Sequence, residues 1–365
     1  TCQLLDMKLE EIREKAAGEI ESLEDPESIR TPGRTWTRYP DREFGESRDI
    51  EPEIETGGEV EVLTGEEAVQ EAGERFLDAV KMGENRLTAM HASRMNSVLY
   101  VRASGRSEIE IKYEEDTPVH SHLIVETEEN SELVIKEEFL GEPGTVTSVD
   151  EIYAGKNSSV TYGAIESAEA ELSYAVRKAV VERDGSMEWL NGMFEGDLNR
   201  TRVETTLKGD GSETEKIGVW YPTGDQHFDI SLYANHVGDG TRCQMDSRAV
   251  VDDEARSVYE GLQNVGDTAD DTQSFQDEKV LMLSERCEAD ASPKLMIENP
   301  DVEASHAASA GNVPEDEVYY MGSRGLSEET AQRLVVKGFF EPVMELIELP
   351  DLKERVRENV LEKLE

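Results

Sequence analysis

The chain has 365 residues, with 82 Asp and Glu against 37 Lys and Arg and a formal net charge of −45. Phosphate backbones and anionic lipid are both held by concentrated Lys and Arg, so this balance excludes a general nucleic-acid surface and docking on an acidic membrane. The carboxylates run the whole length and form no tail, which predicts a solvated surface adapted to a salt-rich cytoplasm, where screening makes the self-repulsion tolerable.

Taken in chain order, Leu5, Leu9, Ile12, Ala16 and Ile20 recur at helical spacing and predict a helix over 4–23, closed by Asp25-Pro26. The first residues show no basic region followed by an apolar run, and no stretch of 18 apolar residues occurs, so neither an export signal nor a membrane span is expected. Residues 30–58 are polar and rich in Pro and Gly, with Trp36 and Tyr39 as isolated anchors, and read as a linker or extended arm. A second helix is predicted over 65–82, with Ala68, Ala72, Phe76 and Val80 on one face. After Asn85 the pattern becomes alternation, with strands predicted at 99–102, 108–113, 123–126, 133–136, 160–162 and 179–181. The last strand-like stretch is 294–302.

The turns between these strands repeat. They fall at Gly105, Asn130, Asn157, Asp184, Asp210, Asp239 and Asp267, with steps of 25, 27, 27, 26, 29 and 28 residues. A near-constant period of this length marks stacked units that bury their apolar faces only against neighbours. Asn, Asp and Gly suit tight corners because they tolerate the left-handed backbone. The reading is a mainly β fold, a β-helix or solenoid of one coil per repeat. An ordinary sandwich would place turns about every 8–12 residues. After Pro314 helical signals return: Ser327 is a candidate N-cap, Ala331, Leu334, Val335, Phe339, Phe340, Val343, Leu346 and Ile347 form an apolar stripe, and a last helix is expected after Pro350. The expected organisation is N-terminal helices and linker over 1–84, a β-helix core over 85–312, and a C-terminal helical domain over 313–365.

The chain carries no phosphate-binding loop of the Gly-x-x-x-x-Gly-Lys-Ser/Thr type, no nucleophile elbow, no His-Glu-x-x-His and no Cys-x-x-Cys. No catalytic residues are assigned. Cys2, Cys243 and Cys287 are too few and too scattered for a disulfide framework, which fits a reducing compartment. Of the six histidines, three fall into suggestive groupings: His227 two residues before Asp229, His236 near Cys243, and His306 paired with Cys287 across the last strand-like stretch. Thiolate with imidazole suits soft and borderline metals, including iron in clusters.

The stretch 288–309, from Glu288 through Pro293, Pro300-Asp301 and Ala304-Ser305-His306-Ala307-Ala308, resembles the end of the β-helix in the SufB/SufD family, the scaffold subunits of the Suf iron–sulfur cluster assembly machine. Residues Pro314 to Ser327, with Tyr319-Tyr320-Met321-Gly322, and Val336-Lys337-Gly338-Phe339-Phe340 are similar to that family's entry into its C-terminal helices, as are Gly224-Asp225-Gln226-His227 and Tyr259-Glu260-Gly261-Leu262 to stretches upstream. The resemblance implies a right-handed parallel β-helix and a C-terminal helical domain that binds the ABC-type ATPase SufC. It also implies a dimer through the open end of the β-helix, with a SufB-like subunit or a second copy. The short Ala-Ser-His-Ala-Ala context is closer to SufD or a simple archaeal relative than to SufB.

On that resemblance His306 takes the cluster-binding histidine position. Ile297 stands where SufB carries its interface cysteine, and Ala304 where some SufD chains carry one. The thiols available are therefore Cys287, nearer the interface, and Cys243. The expectation is a cytoplasmic scaffold subunit, not an enzyme, that contributes His306, Cys287 and Cys243 to a transient iron–sulfur cluster and binds no nucleotide itself. The alternatives are a β-helix polysaccharide lyase or hydrolase and a purely structural solenoid.

Overall fold

The computed structural model describes residues 7–25, 37, 39 and 48–364. Cys2 and Trp36 lie outside the described residues.

The period-two pattern of the middle of the chain folds as parallel β-structure wound into a solenoid of about eight coils. The winding starts on one long strand, β2 (Ser97–Glu114), which bends at Gly105, φ +61°, and belongs to both walls. One wall stacks β3 (Val119–Thr127), β5 (Gly144–Ala154), β7 (Ala170–Val181), β9 (Leu198–Leu207), β11 (His227–His236), β13 (Arg256–Val265) and β15 (Glu288–Ile297). The other stacks β4 (Glu132–Leu140), β6 (Ser159–Glu166), β8 (Ser186–Met193), β10 (Glu213–Trp220), β12 (Arg242–Val251), β14 (Thr272–Met282) and β16 (Val302–Asn312). Residues pair in register from coil to coil, as in the row Tyr162, Trp189, Lys216, Met245, Gln276, His306. Inward rows fill the lumen: Ile109, Ile111 and Tyr113 of β2 are buried, whereas the intervening Glu108 and Glu110 are exposed. Aromatic neighbours pair along the axis, stacked for Tyr113–Phe139 with ring centroids 5.1 Å apart and edge-on for Tyr162–Trp189 at 5.2 Å. Such pairs add about 0.5–1.5 kcal/mol beyond the area they bury.

The corners explain the repeat. Left-handed backbone occurs at Gly105, Asn130, Asn157, Asp184, Gly211, Gly240 and Asp271. In the fifth and sixth corners the strained position is the Gly after the Asp, and in the last it falls at Asp271, beyond the expected Asp267. Gly carries positive φ without a Cβ penalty, which suits it to that position at Gly211 and Gly240, whereas at Asp184-Gly185 the Asp holds it. Corners also stack by hydrogen bonds, with the amides of Asn130, Asn157, Asp184 and Gly211 donating 2.8–3.0 Å bonds to the next coil's carbonyls.

The first coil is covered by β1 (Glu53–Thr64), antiparallel on β2. It lies partly in the segment read as a linker. The helix expected over 4–23 is α1 (Leu9–Glu19) with a 3₁₀ turn after it, and the helix expected over 65–82 ends early as α2 (Gly65–Ala72). A further helix, α3 (Arg86–Arg94), is capped by Asn85, whose side chain accepts the Thr88 amide at 3.0 Å. These helices pack on the first wall through Phe76, Met95, Val98, Tyr100 and Ile124. At the other end α4 (Glu315–Ser323), α5 (Glu328–Leu346) and α6 (Pro350–Glu362) follow the solenoid, and Ser327 caps α5 through the Thr330 amide. Val336, Phe340, Val343, Leu352 and Val356 pack against Ile165, Leu190, Ile217 and Val219 on the outside of the second wall. No helix of the described residues is long and apolar enough to cross a membrane.

Candidate functional site

A solenoid buries each coil under the next, so its last coil is exposed unless something covers it. Strands β15 and β16 are the outermost members of the two walls, and among the described residues no strand lies on their outer side. Their side chains stand in water or half-buried along most of both strands. Pro300-Asp301 forms the turn between them, so the strand-like stretch read over 294–302 is a strand end and a turn, and the chain returns to strand through the small residues Ala304, Ala307, Ala308 and Ala310.

His306 stands in the middle of β16, exposed, as the last member of the lumen row in which Lys216, Met245 and Gln276 are buried. Gln276 Nε2 donates to the hydroxyl of Tyr259 at 3.1 Å, which places that row inside. Met296 and Ile297 on β15 are 55% and 43% exposed, which leaves an apolar edge beside the histidine wall.

Cys287 lies at the corner that leads into β15. Its Sγ sits 3.1 Å from the carbonyl of Ser284 and 3.4 Å from that of Val251, and burial pushes the thiol up from its ordinary value. Cys243 lies on β12, packed in the lumen core. Burial pushes its thiol up to about 11, opposed by the nearby Lys216 and by a hydrogen bond with Ser274. Both sulfurs are thus neutral thiols near pH 7; a thiolate would need an incoming cation or base.

The sequence groupings meet in part. His236 Nε2 lies 3.0 Å from Ser274 Oγ, and Nδ1 lies 2.8 Å from Thr241 Oγ1, so Ser274 stands between His236 and Cys243. His227 and Asp229 converge on the arm: Thr37 Oγ1 donates to Asp229 Oδ2 and lies 3.0 Å from His227 Nε2, with Arg200 Nη1 3.1 Å from Asp229 Oδ1. Cys287 and His306 lie on different parts of the last coil, one at a corner and one in mid-strand. Among the described residues no group of three or more His, Cys, Asp and Glu side chains is placed to hold a metal ion. Sequence reasoning missed the cluster of His91, His120 and His122, because His91 lies on a helix remote in sequence from the other two and the three share no motif.

Next to the open end, α4 buries none of its described side chains, and Tyr319 and Tyr320 are 81% and 58% exposed. A cleft of about 860 Å³ separates it from the solenoid, lined by Met282, Leu283, Asn312, Val313, Tyr319 and Gln332.

The family model described as SUF system FeS cluster assembly, SufBD core domain, matches residues 110–339. The iron–sulfur cluster assembly protein SufD of Bacillus subtilis is 30% identical over 311 residues, which cover 81% of this chain and 71% of that protein. An iron–sulfur cluster assembly SufBD family protein of Mycobacterium tuberculosis is 25% identical over 260 residues, 69% of this chain and 65% of that one. SufB of Bacillus subtilis is 27% identical over 220 residues, 60% of this chain and 47% of the relative. The match to SufD is thus both longer and closer than the match to SufB.

Proposed function

The chain belongs to the SufB/SufD family of iron–sulfur cluster assembly proteins, nearer SufD than SufB, and from that premise we propose that it is a scaffold subunit whose uncovered last coil builds a nascent cluster together with a partner. The observation that carries this reading is the uncovered end itself: a lumen row that runs buried through Lys216, Met245 and Gln276 and ends on an exposed His306. One imidazole cannot hold a cluster, and Cys287 is a protonated thiol at a corner, so the remaining ligands come from the subunit that covers the end. That subunit is a SufB-like chain or a second copy, paired along the edges of β15 and β16.

The cluster is cargo here. His306 offers an imidazole nitrogen as ligand, and Cys287 becomes a ligand only after loss of its proton to solvent or a partner's base. The exposed Tyr319 and Tyr320, with the cleft beneath α4, form the docking surface for an ABC-type ATPase of the SufC kind. Because α4 follows β16 directly through Val313 and Pro314, a partner that moves α4 also pulls on the strand carrying His306.

Anaerobic reconstitution with ferrous iron and sulfide tests the site, using the chain together with a SufB-like partner. His306→Ala is expected to reduce cluster absorbance at least severalfold, and Cys287→Ser to reduce it less; equal yields in wild type and His306→Ala remove the histidine from the site. Pull-down of the ATPase by wild type but not by Tyr319→Ala/Tyr320→Ala is the expected result for docking, and undiminished pull-down rejects that surface.

A further inference from the structure

Three of the six histidines meet far from the open end, where the N-terminal helices rest on the first wall. His91 of α3, His120 and His122 of β3, and Glu151 and Thr147 of β5 are all fully buried. Thr147 Oγ1 lies 2.8 Å from His120 Nδ1 and 2.8 Å from His91 Nδ1. His91 Nε2 lies 3.2 Å from His122 Nδ1, and His122 Nε2 lies 3.0 Å from Glu151 Oε2. The same carboxylate accepts the amides of Leu77 and Ala79 at 2.7 Å and of Val80 at 2.9 Å. Those amides belong to the loop between α2 and α3, where Leu77 is held at φ +55°, a costly conformation for a branched side chain.

We propose that this chain of contacts is an acid-released latch that fastens the N-terminal helices to the solenoid and has room for one added proton. The hydrogen bonds define the capacity. The three amides can only donate, so Glu151 is an acceptor and His122 Nε2 must carry a hydrogen. With every ring neutral, His91 Nε2–H donates to His122 Nδ1, the Thr147 hydroxyl donates to His91 Nδ1, and His120 Nδ1–H donates to Thr147. One added proton reverses the run. His120 takes the added proton on its Nε2 and passes its Nδ1 proton to Thr147, whose hydroxyl proton moves to His91 Nδ1. The Nε2 proton of His91 then passes to His122, an imidazolium beside the Glu151 carboxylate. Every contact still has one donor.

A second proton finds no such place. On His91 it would set N–H against N–H across 3.2 Å. On His120 it would bury a further cation facing Arg94 of α3. The other charged groups around the latch are Asp150 of β5, which faces His122, and Arg75 and Asp78, which flank Glu151 around Tyr153. Burial, with the charges of His122 and His120, holds His91 well below the ordinary histidine value, and burial lowers His120 to about 3. A base whose value is lowered in the closed state binds protons better when open. The latch therefore holds above the ordinary value of about 6.5 and weakens as pH falls below it.

Hydrogen exchange at the amides of Leu77, Ala79 and Val80 reads the latch in the full chain, with amides of β9 and β11 as the solenoid control. Their protection factors are expected to fall about tenfold or more between pH 7.5 and pH 5 relative to the control, the change carried by one pKa unit of differential proton binding. His91→Asn should make that fall severalfold smaller, since one of the two lowered rings is gone and His120 carries the remainder. Nitrogen NMR of the histidine rings in the wild type is the second measurement, with His91 expected to exchange its Nε2–H form for its Nδ1–H form as one proton is taken up. Equal loss of protection in the loop and the solenoid, an unchanged pH dependence in His91→Asn, or a His91 ring that keeps one tautomer through the titration overturns the latch.

Discussion

Lys216 is buried in the lumen, its ammonium against the ring of Trp189 and bonded to Thr205 Oγ1, and burial lowers its value to about 7. The folded value lies below that of an exposed lysine, so the unfolded chain holds the proton more tightly between pH 7 and about 10.5. Stability from this group therefore rises with pH across that window, and the full penalty applies below it. Lys216→Met is expected to raise the thermal midpoint at pH 6–7 by an amount equivalent to about 1–4 kcal/mol and to gain much less near pH 10. Denaturation at the two pH values checks this. Arg177 is the opposite case. It lies fully buried with Nε 3.1 Å from Asp150 Oδ2 and Nη1 2.9 Å from Glu166 Oε1, while burial pushes Glu137 and Asp150 above the ordinary carboxyl value. Arg177→Met leaves those carboxyls without a cation and is expected to cost about 3–5 kcal/mol in urea unfolding at neutral pH, and less in acid, where they protonate. None of these environments was readable from the residue types. The sequence marked His306 and Cys287 by their neighbours in the chain, whereas Lys216 and Arg177 sit in strands whose alternation says only that a position faces in.

At the scale of elements, the strands and corners were legible because both signals are local: period-two alternation between bends of Asn, Asp and Gly. Strand β5 and most strands of the later coils were implied only by the turn repeat, and α3 and β1 escaped for opposite reasons. Helix α3 is buried nearly all round, from Leu87 through Ala92, so it has no polar face to create a helical period. Strand β1 is largely exposed, with Glu53, Glu55 and Glu59 along it, and exists because β2 offers an edge to pair with. Corner stacking makes a sharp prediction. A Cβ on Gly209 would lie 1.9 Å from the amide nitrogen of Arg183 and 2.4 Å from its Cα, so two coils touch backbone to backbone there. Gly209→Ala is expected to destabilise by about 1–3 kcal/mol, since backbone has to move. Gly18→Ala, in α1 with nothing within 4 Å, is expected to be neutral or slightly stabilising, and thermal unfolding of the pair separates close approach from general glycine loss.

At the scale of the molecule, a net charge of −45 repels itself, and repulsion between exposed carboxylates shortens its reach from about 10 Å in 0.1 M salt to about 3 Å in 1 M salt. The unfolding midpoint is expected to rise with added KCl across that range, as circular dichroism melts will show; a midpoint independent of salt contradicts the reading of the surface as salt-adapted. Composition and turn spacing by themselves determined the acidic surface, the solenoid and its approximate repeat, because each depends on residues adjacent in sequence or recurring at a fixed interval. The resemblance near the end of the repeat pointed to His306 and to the family. Only the tertiary structure decided which histidines meet, which thiols are neutral and which coil is left bare. Those properties depend on which residues the winding stacks and what covers them, and in a solenoid neighbours in space are a whole coil apart in the chain.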